Sequence, residues 1–323
     1  MRKLSLAVAA AIFGAIGGAN AQTYPSQPIT MLVGYAVGGP SDTIARIMAD
    51  RMKVSLGQPV IIENVTGAAG SIAVARGARA PHDGYTIVMG DWSTHVVNAA
   101  MYDLQYDVVK DFEPVSLLPS APQIIASPNA VPAKSLKDLI AWIKADPTKI
   151  SYGMSGLGSP SHVSGVLLQN VTGAKFQLVP YRGAALVMND LLANTIQFSM
   201  FPVTVALPQV RAGAIRAYAI TAGQRSVSAP DIPTVDEAGL PDFHISLWWG
   251  LWMPKGTPRD IIAKVNAAVV DTLADPATQK RIADQGLDIP PREQQTPQAL
   301  AAYQKAEIEK WWPIVKAANI KAQ

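Results

Sequence analysis

Hydrophobic period changes again and again along this chain, and that alternation constrains its fold more than any other feature. Ile29 to Val33 is a short apolar run rich in β-branched residues, followed by a Gly-containing stretch, 34–40. Ile44, Ile47, Met48 and Met52 then recur at helical spacing. Val60-Ile61-Ile62 reads as a second strand, Ser71 to Ala80 as a small-residue helix and Tyr85 to Met89 as a third strand. Such alternation predicts an α/β fold with a largely parallel sheet and helices on both faces. The pattern restarts after Ser127-Pro128. Leu136, Leu139, Ile140 and Ile143 mark one face of a helix over 135–144, Ile150 to Gly153 is a strand, and 162–171 is a helix with Val163, Val166 and Leu167 inward. Phe176 to Pro180, Ile196 to Met200 and Ile215 to Ile220 are further strand candidates. From Leu247 the chain reads strand, a Pro258-started helix to Leu273, and a last helix from 297 to 316. Two such starts predict two lobes, 22–125 plus 248–323 and 126–247, with hinge strands crossing near 125 and 247.

The N-terminus sets the compartment. Met1-Arg2-Lys3 is a positive start, Leu4 to Gly18 is almost unbroken apolar sequence, and Ala19-Asn20-Ala21 offers the small residues a signal peptidase reads. That order is a secretory signal, with an apolar run too short for a confident membrane span. Cleavage after Ala21 is expected, leaving a periplasmic chain. Losing Arg2 and Lys3 takes the formal charge from +3 to +1. No Lys/Arg run or basic helix remains to hold nucleic acid. The absence of cysteine rules out disulfides, thiolate metal sites and a lipidated N-terminal cysteine. Stability must come from the core, and 49% hydrophobic residues suffice for that.

One short pattern occurs twice. Gly38-Gly39-Pro40-Ser41-Asp42 and Gly158-Ser159-Pro160-Ser161-His162 both open helices, 120 residues apart, once in each expected lobe. In both copies a serine is a plausible N-cap. A glycine-rich turn from strand into helix presents backbone N–H donors at the positive end of the helix dipole, which suits an anion. Two such turns across a cleft can hold a carboxylate without arginine. Neither copy continues as a phosphate loop or a dinucleotide fingerprint. Gly67-Ala68-Ala69-Gly70 lacks that context too and reads as tight packing of loop on helix.

Catalytic signatures are missing. Gly153-Met154-Ser155-Gly156-Leu157 lacks the last glycine of a nucleophile elbow. His82, His95, His162 and His244 show no metal-ligand spacing, so neither metal nor cofactor is expected. A Ser159–His162 pair leaves a periplasmic ester hydrolase as an alternative, although a helix start explains both residues. Trp92 and Trp248 fall at strand ends, the usual rim of an α/β ligand site, where either can wall a cleft or fill a core.

Tyr24-Pro25-Ser26-Gln27-Pro28-Ile29, Gly38-Gly39-Pro40-Ser41-Asp42, Gly57-Gln58-Pro59-Val60 with Glu63-Asn64, and Gly67-Ala68-Ala69-Gly70 resemble the Bug family. The likeness continues through Asp83-Gly84-Tyr85-Thr86, Lys110-Asp111-Phe112-Glu113-Pro114-Val115, Tyr152-Gly153 with Ser155-Gly156, and Val179-Pro180-Tyr181-Arg182-Gly183. Pro233-Thr234 with Glu237-Ala238-Gly239, then Pro254-Lys255-Gly256-Thr257-Pro258, complete it. These TctC-like proteins are the extracytoplasmic receptors of tripartite tricarboxylate transporters. The resemblance implies a two-lobed Venus-flytrap monomer that delivers a small carboxylate to integral-membrane permease subunits; a sensor subunit of a membrane kinase would share the fold and ligand. It implies carboxylate recognition by backbone N–H groups, hydroxyls and waters of the two loops, here Tyr35, Val37, Gly38, Gly39, Ser41 and Asp42, then Ser155, Gly158, Ser159 and His162. It also places Ser93, Thr94 and His95 at the end of the third strand near the cleft, with the segment after Phe198 that includes Phe201, and with Asp190. Gly34 and Val37 stand where similar proteins usually have prolines, and Ala193-Asn194-Thr195 replaces the usual Gly-Gly.

Overall fold

A computed structural model describes residues 24–156, 159–241 and 243–317. The expected signal segment and Gly158 lie outside them. The strands are β1 (Ile29–Val33), β2 (Val60–Asn64), β3 (Thr86–Asp91), β4 (Phe112–Pro128), β5 (Ser151–Met154), β6 (Gln177–Pro180), β7 (Phe198–Pro202), β8 (Ile215–Ile220) and β9 (Ser246–Pro254). The helices are α1 (Pro40–Leu56), α2 (Ser71–Ala78), α3 (Asn98–Met101), α4 (Leu136–Ala145), α5 (Pro160–Thr172), α6 (Ala184–Leu192), α7 (Val203–Arg211), α8 (Arg259–Ala274), α9 (Pro276–Asp284) and α10 (Pro297–Ala317).

The sheet runs β2-β1-β3-β9-β4-β7-β5-β6, with β8 on β4. β1 is parallel to β2 and β3, and β5 is parallel to β6 and β7. The antiparallel pairings all involve β4 or β9. The largely parallel expectation therefore holds for β2-β1-β3 and β7-β5-β6 and fails where β4 and β9 pair. β4 pairs with β9 from Phe112 to Pro122 and with β7 and β8 from Gln123 to Pro128. One continuous strand thus belongs to both halves of a two-lobed fold. Register shifts at 114/116, 117/120 and 125/126 take up its bends.

Period-two alternation divides the side chains between faces. Ile29, Met31 and Val33 of β1 join Ile44, Met48, Val265 and Ile282 in one core under α1, α8 and α9. Leu32 and Val88 join Val74, Trp252, Leu300 and Trp311 on the other face, a core that continues to Tyr152, Val163 and Phe198 in the second half. A third core, with Ile124, Leu191, Phe201 and Ala206, lies under α6 and α7. His95 is fully buried, stacked on Trp252 with ring centres 3.8 Å apart and edge-on to Phe112. Burial pushes its imidazole down to about 3. Gly90 makes room for it, since a Cβ there would stand 2.0 Å from His95 Nδ1.

Gly34, at the end of β1, meets the 67–70 turn backbone to backbone; a Cβ on Gly34 would lie 2.7 Å from Gly70 Cα. That supports the tight-packing reading of the turn. Ala68 and Ala69 hold φ of 44° and 50° in it, sparsely populated values for non-glycine residues.

Candidate ligand-binding site

The first helix start is built around Asp42. Gly39 caps α1 with extended φ/ψ, Pro40 takes the first helical position and Ser41 the second. The expected serine cap is therefore corrected: Pro40 has no N–H to satisfy, and the cap falls one residue before it. Asp42, third in the helix, reaches back to accept the Gly38 N–H at 2.8 Å. It also accepts Arg46 Nε and NH2 at 2.9 Å each and Asn64 Nδ2 at 3.0 Å. Asn64 donates again to the Tyr35 carbonyl at 2.9 Å. These partners, Arg46 first, hold the Asp42 carboxyl down at about 2. The residue expected to touch ligand is thus the staple of the loop, and it uses one of the amides a ligand would need. Ser41 and Asp42 retain first-turn amides with no acceptor inside the helix. Val37 is 69% exposed at the loop tip.

Replacing Asp42 by Ala is expected to cost about 2 kcal/mol, because Arg46 is half exposed and water repays part of the lost pairing. Urea unfolding measures it, and a cost below about 0.5 kcal/mol would show that the staple is idle.

The second helix start follows the sequence more closely. Ser159 caps α5, its Oγ accepting the His162 N–H at 3.2 Å and donating to the Gly156 carbonyl at 2.7 Å. The pattern serine, Ser161, is again not the cap; its Oγ accepts the Ser155 N–H at 2.9 Å and lies 2.9 Å from Ser155 Oγ. His162 is 6% exposed, and burial lowers its pKa. With its proton on the Gly156 carbonyl, Ser159 acts as a cap rather than a nucleophile. Ser155 and Ser161 line a small cavity of about 70 Å³, together with Gln123, Ser199, Phe201 and Leu247. Val37, Gly38 and Asp42 line a different, shallow groove against Arg281 and Asp284. The two loops thus sit on separate concavities.

The aromatic expectations need correction. Leu247 faces the cavity and Trp249 Nε1 donates to Ser41 Oγ at 2.8 Å, whereas Trp248 Nε1 donates to Glu307 on α10. Alternation along β9 turns Trp248 away from the helix start and gives that side to Trp249. Trp92 is 1% exposed, packed edge-on against Trp311 at 5.3 Å in the core. Both belong to the core-packing alternative. Thr94 is buried and donates through its amide to Asp91 Oδ1 at 2.8 Å, and Ser93 beside it is half buried. The buried Asp91 carboxyl is pushed up by desolvation and also bonds the Tyr35 hydroxyl. Asp190 accepts the Tyr181 hydroxyl at 2.6 Å.

Sequence reasoning missed Asn64, Asp91, Gln123 and Trp249. Of these, β9 alternation alone could have found Trp249, because Trp248 and Trp249 must face opposite ways.

Known proteins share this architecture. A relative encoded in the ttuE-ttuC' intergenic region of Agrobacterium vitis is 38% identical over 92% of this chain and 86% of its own length. Protein BugT of Bordetella pertussis is 33% identical over 94% of this chain and 92% of its own. Among solved structures, MatC from Rhodopseudomonas palustris with bound malate is 35% identical with a TM-score of 0.72, covering 90% of this chain and all of that one. A second R. palustris protein, with adipate, is 31% identical with a TM-score of 0.74, covering 92% and 99%. The model described as tripartite tricarboxylate transporter family receptor matches residues 44–320, and the chain belongs to that family.

Proposed function

We propose that this protein is a periplasmic receptor that captures a small carboxylate between two lobes and hands it to the membrane subunits of a tripartite transporter. The observation that carries the reading is the pair of Pro-started helices, α1 and α5. Their first turns, braced by Asp42 and Ser159, keep backbone amides that have no acceptor inside the helix. The malate and adipate of the two R. palustris relatives support a carboxylate as the ligand class. In this reading the lobes are 22–125 plus 248–323 and 126–247, and residues 1–21 are removed on export.

The ligand binds the closed arrangement better than the open one, because only closure brings donors from both helices onto it. Occupancy therefore shifts the population toward closure, and docking on the permease reopens the receptor. Titration calorimetry of the mature protein against mono- and dicarboxylates tests this. At least one small carboxylate is expected to bind with micromolar or tighter Kd, and binding of neutral sugars or cations in place of every acid would overturn it.

A further inference from the structure

Side chains alternate between two cavities where β4 and β9 cross. Ala121, Gln123 and Leu247 line the small one beside α5, whereas Ser120, Ser246 and Trp248 line a separate cavity of about 780 Å³. Strand parity puts the two on opposite faces of the crossing. The larger cavity draws its walls from distant parts of the chain, with Thr221 and His244 on one side and Leu287 and Lys310 on the other.

Two hydrogen bonds span that second face. Asp288 pairs with Ser120 of β4 through both backbone groups, at 2.9 Å in each direction, and its Oδ1 accepts the Ser226 Oγ proton at 2.9 Å. Lys310 Nζ, on α10, donates to the His244 carbonyl at 2.6 Å. In the receptor reading each bond joins the two lobes: Ser226 and His244 belong to 126–247, Asp288 and Lys310 to 248–323. Gly286 packs closely across the same boundary, since a Cβ there would stand 3.2 Å from Thr204 Cγ2 at the start of α7.

The starts of α1 and α5 line separate concavities, so their donors do not converge on one ligand here. A hinge rotation that brings them together narrows the ligand face and draws the opposite face apart. Bonds already at 2.6 and 2.9 Å have little room to lengthen before they are lost. They therefore favour the arrangement in which the ligand is not enclosed.

We infer that Asp288–Ser226 and Lys310–His244 form a latch behind the hinge that holds the receptor open and sets its ligand affinity. This rests on the receptor reading and deepens it. None of the four residues lines the α5 cavity or the α1 groove, so the latch acts on the closure equilibrium alone. The rarer the closed state is in the free protein, the weaker the observed binding, in proportion.

Ser226→Ala removes one bond and Lys310→Met the other, and both leave the backbone pair of Ser120 with Asp288 in place. Small-angle X-ray scattering of the ligand-free mature protein reads closure directly. Each variant is expected to show a smaller radius of gyration than wild type, and the double variant a smaller one still. Calorimetry is run with malate, adipate, succinate, glutarate and phenylacetate. Any of these that binds wild type is expected to bind each single variant about 5-fold more tightly, the two effects multiplying in the double variant. Should Lys310→Met fail to fold, Ser226→Ala carries the test alone. A radius of gyration unchanged in every folded variant, or weaker binding in Ser226→Ala, overturns the inference and leaves the receptor reading standing. Binding of none of the five acids counts against the receptor reading instead, and the scattering then decides the latch by itself.

Discussion

Acidification from pH 6.5 to 5 is expected to remove about 2 kcal/mol of folding stability through His95 alone. The folded imidazole has been pushed down to about 3 by burial against Trp252 and Phe112, whereas the unfolded chain titrates near 6.5. Between those values the unfolded state binds the extra proton. Stability is therefore fully present above pH 6.5 and falls by about 1.4 kcal/mol per unit on the way down to about 3. The buried carboxyls of Asp91, Asp288 and Glu307 are all shifted upward and act with the opposite sign, favouring the fold as they protonate. Comparing wild type with His95→Phe at each pH cancels those contributions. Urea unfolding at pH 7, 6 and 5 should show the gap between the two proteins changing by about 1.4 kcal/mol per unit below pH 6.5. A gap independent of pH would show that the histidine is hydrated or paired.

Trp249→Ala is expected to cost about 3–5 kcal/mol, the range for removing a buried large aromatic side chain. The indole is 1% exposed and packs in the core beneath α1, so its loss leaves a hole that rigid sheet and helix cannot close. Its second role separates from the first in Trp249→Phe, which keeps most of the volume and loses the N–H to Ser41. That variant should lose only about 1 kcal/mol of stability. In the receptor reading it also binds the carboxylate about 5-fold more weakly, because the first turn of α1 is no longer tied to the hinge strand. Thermal unfolding and calorimetry read the two effects. Equal ligand affinity in Trp249→Phe and wild type would reduce the indole to packing.

Much of this architecture was legible because its signals are local. Ile29 to Val33, Ile215 to Ile220 and the helix after Pro258 carry their own periodicity, and the structure places elements over each. β4 was not legible as a strand of its length. Pro114, Pro119 and Pro122 break its hydrogen-bonding pattern, and its partners are supplied by β9, β7 and β8, from up to 142 residues away. α6 and α7 begin at Gly183 and Pro202 without a side-chain cap, so no start signal announces them. At the candidate site, the repeated Gly-x-Pro-Ser pattern marked two helix starts that the structure contains, but not the bonds inside them. Asp42 reads as a ligand contact until Arg46 and Asn64 are seen to hold it, and the Trp248/Trp249 choice depends on strand parity.

The shared strand also governs how the molecule can move and fail. β4 runs without a loop from one half to the other, and β9 lies antiparallel beside it across Ser120 and Pro122. In the receptor reading, a rotation between halves finds no loop inside β4 to act on and is absorbed as twist along that strand and its partners. The register shifts at 117/120 and 125/126 supply the local compliance for it. The same continuity denies either half an independent unfolding transition: melting one strips hydrogen bonds from a strand on which the other depends. Motion and cooperativity therefore share a single mechanical element, and substitutions that stiffen it would slow the one while strengthening the other.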